Sequence, residues 1–289
     1  MRRAILLLLL LFACLTQLKA QGLDDFFTDQ DENAPKNELV NATFKSVMLI
    51  NAHTTKLPDK GDLIFLISHR FGELNSGFSD LWGLDQATMR FGFEYGLTPS
   101  LALGVGRSTY KSSYDFFVKQ LLLKQSSGTR TMPVTLGIIG TTNISSDKWP
   151  DNGREYLFAH RMSYTLQLLL ARKFNRNLSL QFMPTYIHLN LVRKATDEND
   201  VFALGLGGRM KLNNWVALTG EYHYTIPGET ATNFENPLSI GVDLETGGHV
   251  FQLFLTNSSA IYDEAVIAET TGKWTKGNIR LGFNISRTF

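Results

Sequence analysis

The sequence is nearly without cysteine. Its single one, Cys14, sits in the apolar N-terminal stretch, so the rest of the chain can form no disulfide and no thiolate metal site. Net charge is also almost absent: 28 basic against 27 acidic residues leave +1, which excludes the basic footprint of a nucleic-acid binder. No His-Glu-x-x-His pattern and no paired Cys/His spacing occurs, so nothing implies a metal or a cofactor. Beyond the first twenty residues no apolar run approaches the ~18 residues of a spanning helix. Any membrane this chain crosses must be crossed by strands. What is plentiful suits strands and turns: 24 glycines and 20 phenylalanines beside only eight prolines.

The N-terminus reads as an export signal. Arg2 and Arg3 form a basic region, Ile5 to Phe12 an apolar core, and Ala20-Gln21 the expected cleavage point. A lipoprotein box at Leu11-Phe12-Ala13-Cys14, with lipid on Cys14, is the alternative. Residues 1–20 are thus a signal peptide and 21–43 a polar segment carrying Asp24, Asp25, Asp29, Asp31 and Glu32. Residues 44–289 carry the strand pattern.

Successive side chains of a strand point to opposite faces, so alternation identifies a sheet with one apolar side. Gln86 to Leu97 sets Met89, Phe91, Phe93, Tyr95 and Leu97 against Arg90, Gly92, Glu94 and Gly96. Ser100–Tyr110, Met162–Leu170, Val201–Leu212, Val216–Ile226 and the stretch from Ile279 alternate similarly. Weaker segments are Leu63–Phe71, Tyr114–Lys124, Val134–Asn143, Leu178–Asn190, Leu238–Glu245 and His249–Asn257, making twelve. Thr43–Asn51 also alternates. As a thirteenth strand it would reverse the topology, so it is expected as an extra segment on the periplasmic side or partly inside the lumen.

Tight connections at Thr98-Pro99, Asn175–Asn177, Asn213-Asn214 and Thr246–Gly248 alternate with long polar ones, as at Ile144–Glu155 and Ser258–Lys276. Short turns on one side and long loops on the other are the pattern of an outer-membrane barrel. The fold expected is an all-β, closed antiparallel transmembrane barrel of about twelve strands. Its turns would lie in the periplasm and its loops outside the cell. The final stretch, closing on Phe289, looks like the C-terminal signature that barrel-assembly machinery reads. Outer-membrane lipid and that machinery are the expected partners, and the bacterial outer membrane, reached by export, the expected location.

The stretches GLDQATMRFGFEYG, ENDVFALGLGGRMKL, GVDLETGGHVFQLFLTNS and GNIRLGFNISRTF resemble a family of uncharacterised bacterial outer-membrane β-barrel proteins. The likeness covers essentially Thr43 to Phe289. It implies a single exported barrel and assigns no catalytic residues.

The inward side then decides what passes. Arg90, Glu94, Lys119, Arg161, Arg209, Lys211, Glu221, His223, Asp243, Glu245 and Arg280 are expected to line the lumen, with glycines between them leaving a narrow polar bore. A lipid-acting enzyme would need a serine beside a histidine. His160 and His188 fall near the outer rim, but Met162 stands where that serine would be needed. No enzyme activity is therefore expected. Gly104-Val105-Gly106 and Thr271-Gly272-Lys273 are incomplete phosphate loops, and Asp197–Asp200 reads as a solvated loop tip. A narrow channel for small solutes is the leading expectation, and a non-conducting accessory barrel acting with a partner the alternative. Residues 22–51 are expected to plug the periplasmic mouth, the acidic side chains pairing with lumenal Arg90, Lys119, Arg161, Arg209 and Arg280.

Overall fold

A computed structural model describes residues 38–40, 43–128, 131–149, 155–192, 194, 197–227, 234–246 and 249–289. Twelve strands form the wall: β1 (Leu63–Glu73), β2 (Ala87–Thr98), β3 (Leu101–Ser108), β4 (Ser113–Leu123), β5 (Thr135–Ser145), β6 (Met162–Lys173), β7 (Leu178–Leu189), β8 (Asp200–Lys211), β9 (Val216–Thr225), β10 (Leu238–Thr246), β11 (His249–Thr256) and β12 (Arg280–Thr288). Each pairs antiparallel with its neighbours in sequence. β12 pairs with β1, from Arg280 opposite Glu73 to Thr288 opposite Ile64, and this closes the barrel. Reciprocal bonds between Leu63 and Phe289 (2.9 and 3.2 Å) complete the seam. Closure removes every sheet edge and satisfies the backbone internally, which a lipid-facing sheet requires.

The alternation in the sequence is the alternation of the wall. On β2, Phe91, Phe93, Tyr95 and Leu97 are exposed, while Arg90 and Glu94 are buried on the inner side. Exposed Leu103, Phe116, Leu166, Phe182, Leu204, Leu206, Ile240 and Leu253 continue the outer band around the barrel. An apolar surface of that extent is stable against hydrocarbon and would aggregate in water.

The tight turns share one end. At two of them an asparagine caps the reversal: Asn175 Oδ1 accepts from the N–H of Asn177 and Leu178 (2.8 and 2.9 Å). Asn213 Oδ1 does the same for Trp215 and Val216. The long connection after β4 lies at this turn end too, and there Glu38–Leu39 pairs with Ser126–Ser127.

Thr43–Asn51 is not a wall strand. With the ladder closed on twelve, no edge is left for a thirteenth. Its alternation is also overridden, because Val47, Met48, Leu49 and Ile50 are all buried whatever their parity. A run buried on every side belongs in an interior. The segment rises from the turn end into the barrel and reverses in a tight hairpin, with Met48 bridged to His53 and Leu49 N–H bonded to Ala52 O (2.8 Å). It returns to the rim through Pro58.

Candidate functional site

The barrel interior is occupied from both ends. From the turn end comes the hairpin of residues 43–58. Its backbone polar groups, carried out of solvent without a sheet to join, are satisfied by wall side chains instead. The carboxylate of Glu221 accepts the N–H groups of Ile50, Asn51 and Ala52 at 3.2, 2.8 and 3.0 Å, and the Asn51 side-chain amide at 2.6 Å. Successive N–H groups converging on one carboxylate form an anion nest. Asn284 Nδ2 donates to Ile50 O (2.8 Å), Gln252 Nε2 to Leu49 O, Gln181 Nε2 to His53 O (2.7 Å) and Lys119 Nζ to Lys56 O (2.9 Å). Arg70 Nη2 donates to Asn51 Oδ1 at 2.8 Å. Below the hairpin tip, Phe44, Leu49 and Ala52 pack against Phe117, Ile139, Leu169, Ala171 and Met183, an apolar seal across the turn end. A cavity of about 180 Å³ opens at this rim beside Lys56, Asp59 and Lys124.

From the loop end comes the connection between β11 and β12. It carries a short helix, α1 (Asp263–Ala268), with acidic residues in the first turn, where the helix dipole favours them. The helix is buried on all sides, as DEAVIA with its four apolar residues allows. Ile267 and Ala268 pack on Ile187, Leu189, Val201 and Ala203 of the wall. Ser163 Oγ donates to Glu264 Oε2 (3.0 Å), Thr225 Oγ1 to Ile267 O (3.2 Å), and Lys111 pairs with Glu269. The two inserts meet inside the barrel, where His53 Nε2 lies 3.9 Å from Asp263 Oδ2. Both side chains are buried, and a water-sized cavity beside them is lined by Arg90, Asp115, Thr141 and Tyr262.

Burial pushes the Asp263 carboxyl up to about 7, with the Asp115 carboxylate adding to the rise and Arg90 and Lys119 opposing it. Burial, and then the charges of Lys119 and Arg90, hold His53 well below the ordinary imidazole range. The junction therefore rests as a neutral histidine beside a carboxyl that titrates near neutrality.

The residues expected to line the lumen divide into three groups. Arg90, Glu94, Lys119, Arg209, Glu221, His223 and Asp243 are buried on the inner side. Glu245, Lys211 and Arg280 keep the inward parity but sit at the rims, Glu245 and Lys211 at the turn end and Arg280 at the loop end. Arg161 is a correction. It belongs to a 3₁₀ turn (Phe158–Arg161) before β6, donates to Ser145 O (3.1 Å) and Asp147 O (2.5 Å), and lies over the Trp149 ring.

The expected attraction between these cations and the acidic residues 24–32 loses its basis, because the cations already have partners. Arg90 pairs with Asp115 (2.5 Å), Lys119 with Glu94 (2.7 Å), Arg209 with Asp243 and Glu245, and Arg280 with Glu73 (2.9 Å). The acidic stretch itself lies outside the described residues, as do the expected export signal at residues 1–20 and Cys14. The space beside the glycines is also taken: Gly92 and Gly106 face the Arg90 guanidinium, Gly104 faces the Phe117 ring, and Gly207 faces Leu49. His188 lies opposite Tyr164, not beside Met162, and its Nδ1 is 2.7 Å from Asp200 Oδ1 on the outer side, where Tyr186 OH also bonds Asp200 (2.6 Å). No serine is bonded to that histidine among the described residues.

Residues 44–289 match a family described as a membrane-bound β-barrel domain (DUF5777). The chain belongs to this family. A search of the curated proteins finds no match. Among solved structures, the barrel is similar to the NanC porin (10% identity, 78% of this chain and 98% of that one covered, TM-score 0.47). It is similar too to the COG4313 outer membrane channel from Pseudomonas putida F1 (12%, 81% and 97%, 0.48) and to an active-site mutant of outer membrane phospholipase A from Escherichia coli (14%, 83% and 95%, 0.45). At these identities the likeness is one of fold.

Proposed function

We propose that this membrane-bound barrel is a narrow channel for small solutes, held shut by its two inserts and opened by their withdrawal. One observation carries the reading: the wall holds the N-terminal hairpin largely by polar side chains bonded to its backbone, with Glu221 at the centre. Water can replace such bonds when the hairpin leaves, and the wall it uncovers carries Glu221, Gln181, Gln252 and Asn284 beside the apolar seal. A barrel built only to be solid would be filled more simply by apolar side chains from its own wall. The complete pairing of Arg90, Glu94, Asp115 and Lys119 favours the second reading, a non-conducting accessory barrel. The location proposed is the bacterial outer membrane after export, turns in the periplasm, with the β12–β1 seam and Phe289 as the part offered to assembly machinery.

Planar-bilayer recordings of the full chain and of Glu221→Ala test the channel. The wild type should show low, intermittent conductance and the variant a several-fold higher one. If both assemble and neither conducts, the accessory reading replaces it. Removing Gly22–Asn41 leaves the Glu221 nest in place, so it should raise conductance less than Glu221→Ala does.

A further inference from the structure

The inner wall is chemically asymmetric. The buried charged side chains of the inner wall stand on β1, β2, β4 and β8 to β10. On β5, β6 and β7 the buried inner side chains are uncharged, the polar ones being Thr135, Thr141, Asn143, Ser163, Thr165, Gln167, Ser179, Gln181 and Thr185, and the one inward charge, Lys173, stands at the turn-end rim of β6. Four of them form a contiguous strip, since Thr141 lies opposite Thr165, Ile139 opposite Gln167 and Asn143 opposite Ser163. On that strip Thr141 Oγ1, Thr165 Oγ1, Gln167 Oε1 and both side-chain atoms of Asn143 are buried and find no hydrogen-bond partner among the described residues.

Unmatched buried polar atoms are costly, and so many on two adjacent strands mark a place where something polar sits. The occupant must both donate and accept, because hydroxyl, amide N–H and amide oxygen alternate along the strip. It must also be uncharged, since the charges nearest the strip, Asp115 opposite Asn143 and Arg90 beside it, are already paired with each other and leave none to match an ion leaving water. Hydroxyl groups meet both conditions. We propose that the Thr141, Asn143, Thr165 and Gln167 strip is a binding surface for uncharged, hydroxyl-rich solutes such as monosaccharides. The cavity at Thr141, about 10 Å³, takes no more than one water while the inserts are in place. Solute therefore reaches the strip when α1 and the hairpin withdraw. In that access step alone the proposal rests on the channel reading.

Saturation-transfer NMR with D-glucose, and with D-glucuronate as the charged control of equal size, tests binding whether or not the barrel conducts. It is applied to the full chain, to Glu221→Ala and to Glu221→Ala carrying Thr141→Val, Asn143→Leu, Thr165→Val and Gln167→Met. Glucose should give a saturable signal several-fold above glucuronate in Glu221→Ala, and the strip variant should lose it. Heat-modifiable migration reports assembly. If the combined variant does not assemble, Asn143→Leu and Gln167→Met singly should each lower the signal at least two-fold. No saturable glucose signal in either parent protein, which leaves water as the occupant, overturns the proposal. So does a signal that the strip substitutions leave unchanged. Liposome swelling in the same sugars separates the readings: binding without uptake sinks the channel and keeps the site.

Discussion

At the scale of single residues, Glu221 is the position on which closure turns. Its carboxylate satisfies three consecutive N–H groups that have left water, so Glu221→Ala orphans all three at once. At the low end of roughly 1–3 kcal/mol for each buried orphan, the seated hairpin should lose about 3 kcal/mol, a roughly hundred-fold change in its population. Trypsin reads this directly. Lys56 is half-buried and its backbone carbonyl is held by Lys119, so cleavage after Lys56 should be slow in the wild type and fast in Glu221→Ala. Equal cleavage rates would show that the seal of Phe44, Leu49 and Ala52 holds the hairpin unaided. Much of this residue chemistry was legible from parity alone. Arg90, Glu94, Lys119, Arg209 and Glu221 were placed inward by alternation, and so they are. Asp115 shares the parity of Lys119 on its own strand and could have been read the same way. Asp263 could not: it lies in a loop, where no periodicity tells a buried carboxyl from a solvated one.

At the scale of elements, the two inserts meet at His53 and Asp263, and their titrations act in opposite directions. The closed form holds a proton on Asp263 up to about pH 7, whereas a released loop would lose it near the ordinary value of about 4. Closure from this group is therefore full below about pH 4 and lost as pH rises through about 7. His53 is neutral in the closed form and free to protonate once released, so its contribution is present above about pH 6.5 and lost as pH falls. The groups facing the pair are Arg90, Asp115, Lys119 and Glu221, all from the wall. Separate variants resolve the signs. With His53→Gln, open probability in bilayers should rise from pH 4 to 7. With Asp263→Asn it should rise as pH falls below 6.5. Identical pH profiles in the two variants would mean that the junction does not couple to opening. Thr43–Asn51, expected as an extra segment on the periplasmic side or partly inside the lumen, lies inside the barrel: four consecutive apolar residues fit an interior hairpin, and a wall strand would require a free edge.

At the scale of the whole molecule, the barrel separates an outer face that must suit lipid from an inner one that must not. Leu206 stands outward and exposed on β8, away from both ends of the strand. Leu206→Arg should cost about 2–4 kcal/mol near the bilayer midplane and reduce the heat-modifiable fraction, whereas Thr185→Val on the inner side of β7 should assemble normally. Orientation follows from a cysteine at Asp147 on a long loop and another at Asn213 on a tight turn. Only the first should react with an impermeant maleimide in intact cells.

The sequence by itself determined the wall. Side-chain period, strand length, and the alternation of asparagine turns with long loops are local properties, and lipid outside leaves few other ways to satisfy them. What fills the wall was decided only by tertiary structure. Whether Arg90 faces a lumen or Asp115, and whether Gly104 leaves space or receives the Phe117 ring, depends on strands that chain order brings together but no period describes. That a hairpin's N–H groups find Glu221 some 170 residues away is a matter of three-dimensional complementarity, and the barrel must close before it exists.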